Sequence, residues 1–223
     1  GKRFGVESVA LRPHFSYTSI ERFYERNITM PSDQIIFAGV ELSPGTRPVT
    51  FAALDGELQV QSLKKWDIPE ALACLEGYAN IWLAINLSSF KREQAVYTEF
   101  KRKISQAGFK SHSRKGNTKQ WLETNAQDCF RALIGQNPLP RRALEGRLQR
   151  SAILYEQGLQ IHDPVEIFEE ITRYKLAQGI LPLEDIYSSK ELDALIAAYV
   201  AWLAANSPGQ TVAKGEFVLP VQE

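Results

Sequence analysis

QIIFAGVE, residues 34–41, holds an unbroken apolar run from Ile35 to Val40 that ends on an acid, Glu41. A strand covered on both faces reads as a continuous apolar run, whereas a half-exposed strand alternates. The stretch therefore predicts a central strand in a sheet with helices on both sides. A second run, Ile81-Trp82-Leu83-Ala84-Ile85, ends in the same way at Asn86. Between them, Ser43-Pro44-Gly45-Thr46 has turn composition. Val49 to Leu54 and Glu57 to Val60 flank Asp55-Gly56, which predicts a hairpin with a type I′ turn. A helix is expected over Ile68 to Tyr78. Three consecutive antiparallel strands, a helix and a second buried strand describe an α/β domain with a mixed sheet.

Downstream, Phe90 to Gln106 predicts a long basic helix stopped at Gly108. The loop from Ser111 to Thr118 is polar and basic. Trp121 to Thr124 suits a short strand, followed by helices over Ala126 to Ile134 and Arg141 to Gln157, the latter stopped by Gly158. Asp163, Pro164 and Glu166 supply an N-cap, a first-turn proline and an acid for a helix reaching Gln178. Ser188 and Glu191 form a capping box for the last helix, where Leu192, Leu195, Ile196, Tyr199, Val200 and Leu203 recur at helical spacing. Phe217 to Val221 suits a final strand. Residues 1–33 mix aromatics and arginines without a clean period. They read as an N-terminal arm packing on the domain or a protein partner, with residues 34–223 forming the domain.

The chain has 223 residues, 44% hydrophobic and 23% charged, enough for one large core. Its longest apolar stretch, Leu195 to Ala205, is too short to cross a bilayer, so no membrane partner is expected. The N-terminus lacks the apolar segment of a secretory signal. Cys74 and Cys129 have no metal-binding spacing and are expected as reduced core thiols of a cytoplasmic protein. His14, His112 and His162 are scattered, which argues against zinc. The net charge of +0 hides a segregation. Residues 91–119 and 141–150 are basic, and the chain from 151 onward is acidic. Such a pattern suggests an anionic partner over one face, with a merely solvated helix face as the bland alternative.

Asp193 lies in line with Ile196, Ala197 and Val200 on the last helix, which puts a carboxylate on or beside its buried face. A buried carboxylate needs a metal, a cation or several donors. Glu41 and Asn86 stand at the ends of two buried strands, where ligands of α/β sheets collect. With Asp193 and Glu123 they suit a Mg²⁺ or Mn²⁺ cage that activates water against a phosphodiester. Each member also has a plainer reading. Glu41 and Asn86 can start turns, Glu191 is the capping acid, and Glu123 can pair with an arginine from 141–150.

The strand ending at Glu41, the "WLAIN" strand, "LETNAQDCFRAL" (122–133), "GRLQR" (146–150) and "ELDALIAAYVAWLA" (191–204) resemble the predicted RNase-H-like nucleases grouped as domain of unknown function 429. The resemblance spans roughly residues 34–206. Asp193-Ala194 and Ala198 are also similar to the final helix of Holliday-junction resolvases in that superfamily. The resemblance implies an RNase-H-like mixed sheet with its first strand central and metal-dependent cleavage of DNA or RNA. The family's acidic positions fall on Glu41, Asn86, Glu123 and Asp193, with Glu41, Asp193 and Glu123 as catalytic residues and Glu41, Asn86 and Asp193 as metal ligands. Lys101, Arg102, Lys103, Arg114, Lys115, Arg147 and Arg150 are the candidate contacts to nucleic acid. Two departures stand out: the family has aspartate where this chain has Glu41 and Asn86. They open the alternative of a catalytically degenerate binding or scaffold protein on the same fold. A third reading, an ATP-binding actin-like protein, rests only on the loop after Glu41.

Overall fold

The computed structural model describes residues 34–42, 48–87, 94–112, 118–166, 173, 176–179 and 186–221. The expected N-terminal arm, the turn at Ser43 to Thr46 and most of the loop from Ser111 to Thr118 lie outside the described residues. So does most of the helix expected from Asp163 to Gln178.

The strands are β1 (Ile36–Glu41), β2 (Val49–Leu54), β3 (Val60–Trp66), β4 (Ile81–Asn86), β5 (Lys110–Ser111), β6 (Lys119–Thr124), β7 (Thr211–Lys214) and β8 (Phe217–Pro220). The helices are α1 (Ile68–Gly77), α2 (Gln94–Gln106), α3 (Ala126–Ile134), α4 (Leu144–Glu156) and α5 (Ser189–Asn206). The strands form one sheet in the order β3-β2-β1-β4-β6-β8-β7, with β5 beside β6. β1 runs antiparallel to β2 and parallel to β4, and β4 is parallel to β6. This is a mixed α/β sheet with β1 inside it, as its unbroken apolar run requires.

Alternation along the strands divides the core. Ile36, Ala38 and Val40 pack with Leu75, Phe100 and Ile104 of α1 and α2. Phe37, Ala52, Ala84 and Leu122 face the opposite side, with α3, α4 and α5. α5 is buried from Leu192 through Ala201, wedged between the sheet and α3 and α4. The close approach depends on Gly39. A Cβ there would lie 2.0 Å from the Ala194 carbonyl oxygen and 2.4 Å from the Ala198 nitrogen, so β1 and α5 touch backbone to backbone. The alanines of α5 are the other half of that contact.

Most element positions follow the sequence pattern, including the capping box at Ser188/Glu191; the structure adds a second at Asp67/Glu70, ahead of α1. The hairpin after β2 is present with a different turn, and its second strand runs over Val60–Trp66 rather than Glu57 to Val60. Gly56 does not take a positive φ, and Leu58 takes one of 60°. Asp55 accepts from the Glu57 and Gln59 amides through Oδ1 at 2.9 Å, so a side chain rather than a left-handed glycine closes the loop. α2 begins at Gln94 among the described residues, and α4 begins at Leu144, leaving Arg141 ahead of the helix. Among the described residues no helix is long and apolar enough to cross a membrane.

Candidate functional site: two carboxylates and an arginine at the strand ends

The parallel pairing of β1 and β4 sets Glu41 directly beside Asn86, and the β4–β6 pairing sets Asn86 beside Thr124. On the other flank the antiparallel pairing sets Thr50 opposite Glu41. Cross-strand partners share a face. Thr50, Glu41, Asn86 and Thr124 thus form a polar row across four strands on the α5 side. Asp193, in the second turn of α5, comes down on this row. Two carboxylates separated by most of the domain converge, as the sequence suggested.

The space between them holds a guanidinium. Arg141 Nη2 donates to Glu41 Oε1 at 3.2 Å and contacts Asp193 Oδ2 as well. The two acids are buried, their side chains 8% and 5% exposed, while that of Arg141 is 36% exposed. Burial pushes the Asp193 carboxyl up to about 7, and nearby Glu41 adds to the rise; Arg141 and Arg150 oppose it. Arg141 Nε and Thr50 Oγ1 have no hydrogen-bond partner among the described residues.

Asn86 is committed at both ends of its amide. Nδ2 donates to Glu41 Oε2, and Oδ1 accepts from the Ala126 amide at 2.7 Å. That second bond ties the end of β4 to the start of α3, whose N-cap is Asn125. One of the two lone pairs on the amide oxygen is therefore taken by the start of α3.

Glu123 is not part of this centre. Its neighbours along β6 alternate faces, and it points to the side of α2. There it accepts from the Tyr97 hydroxyl and from Lys101 Nζ, the latter at 3.2 Å. Lys101 also lies 4.6 Å from the centroid of the Trp121 ring. A strand-end acid one residue out of step lands on the wrong face. Its partner is a lysine of α2 rather than an arginine of 141–150.

The residues around Arg141 explain how a partly exposed arginine is held in place. Arg150 is 1% exposed and lies beneath the segment before α4. Its Nη1 donates to the Leu139 and Gly146 carbonyls and its Nη2 to Gln127 Oε1, all at 2.9 Å. Gln149 Oε1 accepts from the Leu139 amide at 2.7 Å. A Cβ on Gly146 would lie 2.0 Å from the Pro140 carbonyl oxygen, so only glycine lets the segment sit on α4. Arg147 Nε donates to the Tyr187 carbonyl at 2.7 Å, and Nη2 to that of Ile186, securing the approach to α5. The "GRLQR" sequence is thus structural: Gly146 and Arg150 place Arg141, and Arg147 secures the entry to the helix carrying Asp193.

This corrects the expectation that Arg147 and Arg150 face nucleic acid; both are consumed by carbonyl groups. Arg102 and Lys103 pair with Glu99 on the exposed face of α2, at 2.7 and 3.7 Å. Arg114 and Lys115 lie outside the described residues. The sequence reading missed Arg141 and Thr50 as members of the site. A signal existed for Arg141: two arginines just ahead of a helix N-terminus oppose its dipole, and so call for acidic partners elsewhere.

A divalent ion does not fit the residues as they stand. Glu41 and Asp193 already share a cation, the Asn86 oxygen is turned to the Ala126 amide, and Glu123 is on the far face of the sheet. Among the described residues no group of three or more histidines, cysteines or acids is placed to hold a metal. No protein-family model matches the chain, and neither does any curated protein sequence.

Proposed function

We propose that the chain is a catalytically degenerate RNase-H-like protein that binds or scaffolds rather than cleaves. The sheet order, the central first strand and the meeting of β1, β4 and α5 ends support the RNase-H-like reading. One observation carries the loss of catalysis: Arg141 occupies the space between Glu41 and Asp193 where a hydrolytic ion would have to sit. Hard divalent cations need several oxygen ligands free to turn toward them, and both carboxylates here are engaged by the guanidinium.

The partner proposed is nucleic acid, met over the α2 side, where Lys101, Arg102 and Lys103 stay partly exposed. Arg102 and Lys103 hold only surface pairs with Glu99, which can yield to phosphates, whereas Lys101 would have to leave the buried Glu123. A protein partner is the alternative. The nuclease reading keeps one support, the convergence of Glu41 and Asp193 beside an arginine that solvent can reach.

Cleavage assays separate the two. Single-stranded, duplex, branched and hybrid substrates are incubated with the purified protein and Mg²⁺ or Mn²⁺. No cutting is expected. Metal-dependent cutting that Asp193→Asn abolishes would establish the nuclease and end the scaffold reading.

A further inference from the structure

We propose that Arg141 is the resident counter-ion of the Glu41–Asp193 pair, a tethered guanidinium standing in place of a divalent cation, with Gly146 and Arg150 as the residues that position it. The inference deepens the scaffold reading and rests on the same centre, but it makes a separate claim about which cation the pair accepts.

Buried carboxylates require a compensating cation or donors. Glu41 receives Arg141 and the Asn86 amide; Asp193 receives Arg141. A guanidinium carries its charge at every accessible pH and forks between two acceptors, which a hydrated ion achieves only after losing water. Its placement uses an unusual amount of structure. A fully buried arginine, Arg150, is spent on the Leu139 and Gly146 carbonyls and on Gln127. Its charge lies against the Phe130 ring, 5.3 Å from the centroid. The Pro140 carbonyl rests on the bare Cα of Gly146. Leu139 is therefore held by two side chains of α4 and Pro140 by its backbone, and Arg141 follows at once. A loop that only joined α3 to α4 would need none of this.

Asn86 fits the same scheme. An aspartate there would put a third negative charge beside Glu41 and remove the donor that Glu41 now uses. One guanidinium balances two carboxylates poorly enough; three would exceed it. The neutral amide and the arginine are complementary choices.

Guanidinium and ion then exclude each other, so withdrawing Arg141 should open the pair to a cation. Thr50 Oγ1, buried and without a partner beside Glu41 among the described residues, is a further oxygen for it. Mn²⁺ titration by calorimetry, with melting temperature followed in parallel, tests this on the full chain. The wild type should show no saturable uptake and the same melting temperature in Mn²⁺ and in chelator. Arg141→Gln should bind Mn²⁺ at least about tenfold tighter than wild type, with a melting temperature that climbs with Mn²⁺ concentration. Arg150→Met, which frees the segment while leaving Arg141 in the chain, should show uptake too, a result that a purely structural role would not produce. Should Arg141→Gln fail to fold, Arg141→Lys keeps a cation and is expected to stay blind to Mn²⁺. Saturable Mn²⁺ binding by the wild type, or equal binding by wild type and Arg141→Gln, overturns the proposal. The cleavage assay answers separately: a wild type that cuts in chelator sinks the scaffold reading alone, and one that binds Mn²⁺ yet cuts nothing sinks this inference alone.

Discussion

Asp193→Asn should make the protein's stability much less sensitive to pH between 5 and 8. The folded-state carboxyl is pushed up from 3.8 to about 7, chiefly by burial. Between those values the folded chain holds a proton that the unfolded chain has released. Stability contributed by this group is therefore largest below about pH 4, falls as pH rises, and levels off above about pH 7. Each pH unit in that window is worth about 1.4 kcal/mol. From pH 5 to pH 8 the wild type should lose about 3 kcal/mol at this residue, the fall being nearly complete by pH 7. Asparagine has the shape of the protonated acid and does not titrate, so the variant should lose none of it. His112 titrates nearby in pH and with the opposite sign, because burial lowers its folded-state value. It is common to both proteins and cancels in their difference. Urea denaturation at pH 5, 6, 7 and 8 measures this directly. With m near 1–3 kcal/mol/M, the gap between the two midpoints should widen by about 1–3 M in favour of the variant on going to pH 8. Parallel midpoints across the range would refute the reasoning. So would a wild type that gains relative to the variant as pH rises, since Asp193 would then be held ionised by Arg141 at no net cost.

Arg150→Ala should destabilise by about 3–5 kcal/mol, because it strips donors from buried carbonyls and leaves a void against Phe130; chemical denaturation reads the loss. Gly39→Ala should cost several kcal/mol or prevent folding, since the new methyl meets the backbone of α5 on both sides, and soluble yield with circular dichroism reports it. Asn86→Asp should lower the melting temperature at pH 8 more than at pH 5, as the added charge faces Glu41 while the Ala126 amide already donates to this residue. Cys129, unexposed and with its thiol pushed up to about 12, should resist iodoacetamide at pH 8 until the chain unfolds; mass spectrometry of the native and urea-treated protein distinguishes the two states.

Much of the fold was legible along the chain. Unbroken apolar runs marked β1 and β4 as interior strands, helical spacing and a capping box marked α5, and glycines and prolines marked ends. These are short-range signals, because side-chain period and backbone capping depend on residues within a few positions of one another. The convergence of Glu41, Asn86 and Asp193 was also foreseeable, since strand ends and a buried helical face leave a polar residue few places to go. The side of the sheet taken by Glu123 turned on a single step of strand register. The turn after β2 turned on whether Asp55 or Gly56 would shape it.

What only the tertiary structure decided is the occupant of the centre. Arg141 meets Glu41 from a hundred residues away, delivered by Gly146 and by Arg150, an arginine that looked like part of a basic surface. Charge sign is written in the sequence, but whether a cation meets solvent, a carbonyl or a buried acid depends on which surfaces the packed helices bring together. A residue type can state that a carboxylate needs a counter-charge; only the three-dimensional path of the chain chooses the guanidinium that supplies it.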